Sequence, residues 1–135
     1  MRLPVDVVIA DDFNDKANQK VMSVGPVPDG WRILDIGPET ISGFNKVISK
    51  AGTVVWNGPM GVFEMPAFSK GTFEIAKAVA NSKAVSIIGG GDSASAIKKS
   101  GLAEKIDHIS TGGGASLEML EGAQLPGLVA LEDKQ

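Results

Sequence analysis

The chain has 135 residues, 43% of them hydrophobic and 21% charged, with a formal charge of −3 and no cysteine. This is the composition of an ordinary globular domain, able to bury about two-thirds of its unfolded surface. The acidic balance argues against a nucleic-acid partner gripped by a broad basic face, and the absence of cysteine excludes disulfides and thiolate chemistry. Met1-Arg2-Leu3-Pro4 is not a secretory signal, and no apolar run approaches the roughly 18 residues of a membrane span, so the expectation is a cytoplasmic chain with no membrane partner.

Val5-Asp6-Val7-Val8-Ile9-Ala10 reads as a first strand, followed by a polar, turn-rich connection over residues 11–18. Lys20-Val21-Met22-Ser23-Val24 and Trp31-Arg32-Ile33-Leu34-Asp35-Ile36 read as further strands, separated by the proline- and glycine-broken segment 25–30. With no helix between them, these strands predict a small antiparallel ribbon. Pro38 suits a first helical position with Glu39 in the acidic first turn. Ile41, Phe44, Val47, Ile48 and Ala51 then recur at helical spacing up to a stop at Gly52.

From Thr53 the order becomes strand, helix, strand, helix, strand, helix, which predicts parallel strands joined by right-handed crossovers. The expected strands are Thr53-Val54-Val55-Trp56, Val85-Ser86-Ile87-Ile88 and residues 106–110, each read as buried. Between them, helices are expected from near Ser69 to about Asn81, and from the first glycine cluster to Gly101. One more turn is expected over residues 102–105, then a last helix marked by Leu117 and Leu120 and ending at Gly122. An apolar tail, residues 125–131, needs something to pack against. The predicted fold is α/β, a partial parallel Rossmann-like three-layer sheet with the antiparallel ribbon near its N-terminus.

Two near-copies of one device stand out: Gly89-Gly90-Gly91-Asp92-Ser93 after one strand and Gly112-Gly113-Gly114-Ala115-Ser116 after the next. Glycines leave no Cβ between the backbone amides and a ligand. A helix opening adds unpaired amides and a partial positive charge, so each turn is a potential phosphate seat. Asn57-Gly58 ends a third strand, and the carboxyl ends of all three would share one rim, where open α/β sheets bind ligands. Gly89 to Ala94 fits the dinucleotide pattern only weakly, because Asp107 precedes its strand instead of ending it. No lysine follows either turn as in a P-loop. Asp92 either holds Mg²⁺ beside phosphate oxygens or caps the helix, and for Ser93 capping is the favoured reading. Glu64 could bond ribose hydroxyls or lie in solvent. Met60, Val62, Phe63 and Met65 are expected to pack the domain, Trp31 and Trp56 to lie in or near the core, and His108 to be structural.

The segments Val55-Trp56-Asn57-Gly58-Pro59-Met60-Gly61-Val62-Phe63-Glu64, Ile88-Gly89-Gly90-Gly91-Asp92-Ser93 and His108-Ile109-Ser110-Thr111-Gly112-Gly113-Gly114-Ala115-Ser116-Leu117-Glu118 resemble phosphoglycerate kinase, nearest its bacterial form. Leu3-Pro4-Val5-Asp6, Leu34-Asp35-Ile36-Gly37-Pro38 and Leu125-Pro126-Gly127 fit the same family in the same order. The resemblance implies a reversible glycolytic transfer of a phosphoryl group between 1,3-bisphosphoglycerate and MgADP. Asn57, Pro59, Val62 and Glu64 would lie along the nucleotide. Gly89, Gly90, Gly91, Asp92 and Ser93 would hold the phosphates of ADP or ATP, with Asp92 on Mg²⁺. Gly91, Gly113 and Gly114 would act on the transferring phosphoryl group.

The resemblance covers essentially the whole chain but only the C-terminal third of the family. It therefore implies that residues 1–135 are the C-terminal portion of a nucleotide-binding domain, without the N-terminal domain that binds 3-phosphoglycerate or 1,3-bisphosphoglycerate. Two strands of the family's sheet would be missing, leaving a gap and an uncovered apolar helix face. The expectation is a truncated chain, inactive alone and prone to self-association. The alternatives are a non-catalytic nucleotide- or phosphate-binding module and a fragment that completes a partner's sheet.

Overall fold

In the computed structural model, which describes residues 1–131, two three-stranded sheets share one set of helices. The first sheet is antiparallel, in the order β2-β1-β3, from β1 (Asp6–Ala10), β2 (Gln19–Ser23) and β3 (Arg32–Ile36). The second is parallel, in the order β4-β5-β6, from β4 (Thr53–Asn57), β5 (Val85–Gly89) and β6 (His108–Ser110). Helix α1 (Pro38–Ile48) joins the two sheets, and α2 (Lys70–Asn81) and α3 (Gly91–Ser100) are the crossovers of the parallel one. Helix α4 (Gly113–Leu120) and the short α5 (Pro126–Val129) follow. The expected ribbon, crossovers and turn after Gly101 are all present, that turn as a 3₁₀ helix over Ala103–Lys105. A second 3₁₀ turn, Pro66–Phe68, leads into α2.

Successive crossovers of one hand along a sheet that grows in one direction put both helices on the same face. Helices α2 and α3 accordingly pack against each other. With Ile36, Ile41, Trp56, Ile88 and Ile106 they enclose a core that includes Ile75, Val79 and Ile97. The side chains of β4 and β5 alternate about this arrangement. Trp56, Ser86 and Ile88 point in and are buried, whereas Val55 and Val85 are exposed on the other face. The runs expected to be buried are thus half-buried, their side chains covered on one face and exposed on the other. Strand β4 is also an edge, with β5 its single partner among the described residues. Beside it runs a groove of about 410 Å³ lined by Phe44, Val47, Ile48, Val54 and Met60.

Two buried carboxylates fasten the antiparallel sheet to the helices. Asp6 accepts hydrogen bonds from the Glu39 and Thr40 amides at 3.0 and 2.7 Å and from the Thr40 hydroxyl at 2.6 Å. It caps α1 from 33 residues upstream, where the helix dipole favours an anion. Burial works to raise the Asp6 pKa, but those donors prevail and hold it below the ordinary carboxylate value. Asp35 repeats the arrangement at α2, accepting from the Gly71 amide at 2.8 Å. Here burial wins, and the Asp35 carboxyl is pushed up despite the Gly71 and Ile36 amides that pull it down.

Candidate functional site

Because β4, β5 and β6 run parallel, the chain leaves all three at one rim. Asn57 and Gly89 are register partners at the ends of β4 and β5, and Gly89 pairs in turn with Ser110 at the end of β6. The two glycine turns therefore open on the same side, and they meet. A Cβ on Gly113 would stand 2.6 Å from Gly90 Cα and Gly90 N and 2.8 Å from Asn57 Oδ1. A Cβ on Gly90 would also stand 2.8 Å from Asn57 Oδ1, so the carboxamide of Asn57 fills the notch between the turns. Only residues without side chains allow this approach.

The turns are not equivalent. Gly90 takes φ +94° and ψ 148°, a region essentially closed to other residues, and its amide donates to the Ser110 carbonyl at 3.0 Å. Gly112 opens the second turn at φ −91°, which any residue can adopt, and its amide reaches Ser110 Oγ at 3.3 Å. The amides of Gly91, Asp92 and Ser93 start α3, and those of Gly113, Gly114 and Ala115 start α4. First-turn amides have no acceptor within their own helix, so two such sets lie at one rim. Around Gly91 and Gly114 the Cβ direction is open space.

Ser93 is fully buried and does not cap α3. Its hydroxyl instead accepts the Gly58 amide at 2.7 Å. Gly58, at φ +97°, also receives the Trp56 indole N–H on its carbonyl at 2.6 Å. Asp92 is exposed in the first turn of α3. Pro59 is half-buried in the loop that leaves β4. Val62 is half-buried, its amide donating to the Leu34 carbonyl at 2.9 Å and its side chain packing near Phe68. Glu64 is exposed beyond it. Phe63 is buried under Lys99 of α3, whose ammonium lies 6.0 Å from the ring centre.

Three features escaped the sequence reading. Thr72 on α2 is buried and receives the Met60 and Gly61 amides at 3.1 and 3.3 Å. Asp35 lies behind the same loop, so close that a Cβ on Gly61 would overlap its carboxylate. A charged residue between Leu34 and Ile36 in an apolar strand was the available signal for it. Asp107, noted only as a misplaced acid, ties the starts of β5 and β6 together. It accepts the Ser86 amide and hydroxyl, both at 2.8 Å, while its own amide donates to Ser86 Oγ at 3.0 Å. The Ser86 bonds hold the Asp107 carboxyl below its ordinary pKa. His108 is exposed. Among the described residues no three His, Asp or Glu side chains gather to cage a metal, and no helix is long and apolar enough to cross a membrane.

An open parallel α/β sheet with glycine-led helix openings gathered at its carboxyl rim is the class that this fold and site define. Residues 1–123 match the family model for phosphoglycerate kinase, and the chain belongs to that family. It is 63% identical over 132 residues to the phosphoglycerate kinase of Herpetosiphon aurantiacus and 62% identical over 133 to that of Roseiflexus castenholzii, covering 98% of this chain and 34% of the relative in each case. Among solved structures, phosphoglycerate kinase from Coxiella burnetii superposes with a TM-score of 0.88 at 47% identity, over 95% of this chain and 33% of that one. The enzyme from Pyrococcus horikoshii gives 0.82 at 40% identity, over 96% and 32%. The chain thus spans about a third of the length of the relatives it matches.

Proposed function

We propose that this chain is the C-terminal portion of a nucleotide-binding domain and forms the phosphate-holding rim of a glycolytic phosphotransferase. The reaction would move a phosphoryl group between 1,3-bisphosphoglycerate and ADP. One observation carries the reading: two glycine-led helix openings meet at one rim, backbone against backbone, with Asn57 between them. The amides of Gly91, Asp92 and Ser93 would hold nucleotide phosphates, those of Gly113 and Gly114 the phosphoryl group in transfer. Positioned donors of this kind supply most of the catalysis in phosphoryl transfer, where charge spreads over the equatorial oxygens. Gly89 and Gly90 serve the same site by shape, since the Gly90 amide is already engaged with Ser110.

The donor set fits Mg²⁺ as one exposed carboxylate, Asp92, beside amides suited to phosphate; Mg²⁺ takes one or two carboxylates and completes its shell with phosphate oxygens and water. When bound, the ion neutralises charge on those oxygens. Pro59, Val62 and Glu64 would run along the nucleoside end. Phosphoglycerate would be held by parts of the family outside the third spanned here, so this chain alone would turn nothing over. Calorimetric titration with MgADP is the test. Saturable binding that weakens about tenfold in Asp92→Asn is expected, the worth of one charge-assisted contact. No saturable heat with the wild-type chain would overturn the reading, and turnover by the chain alone would overturn its inactivity.

A second reading, a fragment that completes a partner's sheet, draws support from the open edge of β4 and the apolar groove beside it. On that reading MgADP would give no response at all.

A further inference from the structure

The loop over residues 58–65 leaves the rim and carries Glu64 near its far end, so its path sets how far Glu64 stands from the glycine turns. Two hydroxyls, both fully buried, hold that path. Ser93, on the helix opened by the first glycine turn, takes the Gly58 amide at 2.7 Å. Thr72, on α2, takes the amides of both Met60 and Gly61, at 3.1 and 3.3 Å. The next amide, Val62, reaches the Leu34 carbonyl at 2.9 Å. Gly61 packs closely on β3, where a Cβ would overlap the Asp35 carboxylate and stand 2.6 Å from the Leu34 carbonyl oxygen. Asp35 in turn holds the Gly71 amide, one residue before Thr72. The phosphate end of the loop is thus referred to α3 and its far end to α2 and β3.

We infer that Thr72 is a positioning residue: by holding Met60 and Gly61 it fixes the span between the phosphate-holding turns and Glu64, and so makes the rim selective for a nucleoside diphosphate over its bare diphosphate. This rests on the nucleotide reading above and assigns Thr72 no contact with ligand. Removing the common acceptor of two part-buried amides leaves both without a partner inside the fold, so the loop should shift to pair them with water instead. Threonine to valine keeps the shape and removes the acceptor. Threonine to serine keeps the acceptor.

The experiment compares the wild-type chain with Thr72→Val and Thr72→Ser, by amide hydrogen exchange and by titration with MgADP and with magnesium pyrophosphate. In Thr72→Val, exchange at Met60 and Gly61 should quicken about tenfold or more, while Gly58, held by Ser93, keeps its wild-type rate. Affinity for MgADP should fall about tenfold with that for pyrophosphate unchanged, and Thr72→Ser should restore both. Unchanged exchange at Met60 and Gly61 overturns the inference. So does an equal loss of affinity for both ligands, which would mark a general loosening of the fold. Should the wild-type chain bind neither ligand, the nucleotide reading falls and the selectivity with it, whereas the exchange pattern still decides whether Thr72 holds the loop. If Thr72→Val does not fold, Thr72→Ala against Thr72→Ser gives the same comparison.

Discussion

The first and second glycine turns share a sequence pattern and differ in what they ask of it. At Gly90 the requirement is conformational: φ +94° with ψ 148° excludes a side chain whatever the surroundings. At Gly113 the requirement is steric, since the backbone of Gly90 lies where a Cβ would go. The helices that follow differ as well. Helix α3 buries Ser93, Ala94, Ala96 and Ile97, while α4 buries only Gly113. A repeated motif here yields one turn built into the core and a second one leaning on it.

Substitutions can break that asymmetry. Gly90→Ala should have the largest effect, about 2–3 kcal/mol lost for forcing a side chain into a glycine-only region, with the Asn57 carboxamide also in the way. Urea denaturation measures it, and a loss below that of Gly113→Ala would reverse the ranking. Gly113→Ala should cost less, about 1–2 kcal/mol by overpacking, because Gly113 has no positive φ and only the clash opposes the side chain. Gly114→Ala, with open space around it, is the matched control and should leave the denaturation midpoint nearly unchanged.

Apart from that control, the smallest effect concerns the roots of the turns, where Asp107 joins β5 to β6 through Ser86. Its folded pKa lies below the ordinary carboxylate value, so its contribution is present above that ordinary value and lost as pH falls through the folded one. Wild type should therefore exceed Asp107→Asn in stability near neutrality, with the difference closing in acid. Denaturation midpoints across pH report this, and a pH-independent gap would assign the effect to neutral hydrogen bonding alone.

What the sequence could disclose followed from locality. Apolar runs ending in glycine marked β5 and β6, and Pro38 with Glu39 marked the start of α1, because each signal lies within a few residues of its consequence. The shared rim also followed, since parallel crossovers leave no other arrangement. Ser93 has the local pattern of a cap, but its partner, the Gly58 amide, is 35 residues away. Thr72 and Asp35 carry no local signal of their partners for the same reason, those partners lying on other elements. Strand β4 looked buried because an apolar run says nothing about how many faces find cover. The family motifs at residues 3–6, 34–38, 55–64, 88–93 and 108–118 fall within residues 1–123, which the family model matches, and Leu125-Pro126-Gly127 lies just beyond.

The bond from the Trp56 indole to the Gly58 carbonyl makes the rim optically addressable. The chain has two tryptophans and no tyrosine, and Trp31 sits apart, half-buried with the Lys20 ammonium 4.4 Å from its ring centre. Replacing Trp31 by phenylalanine leaves a single emitter whose indole N–H touches the glycine that Ser93 also grips. Its emission would then register any rearrangement at the end of β4 without a dye or a label.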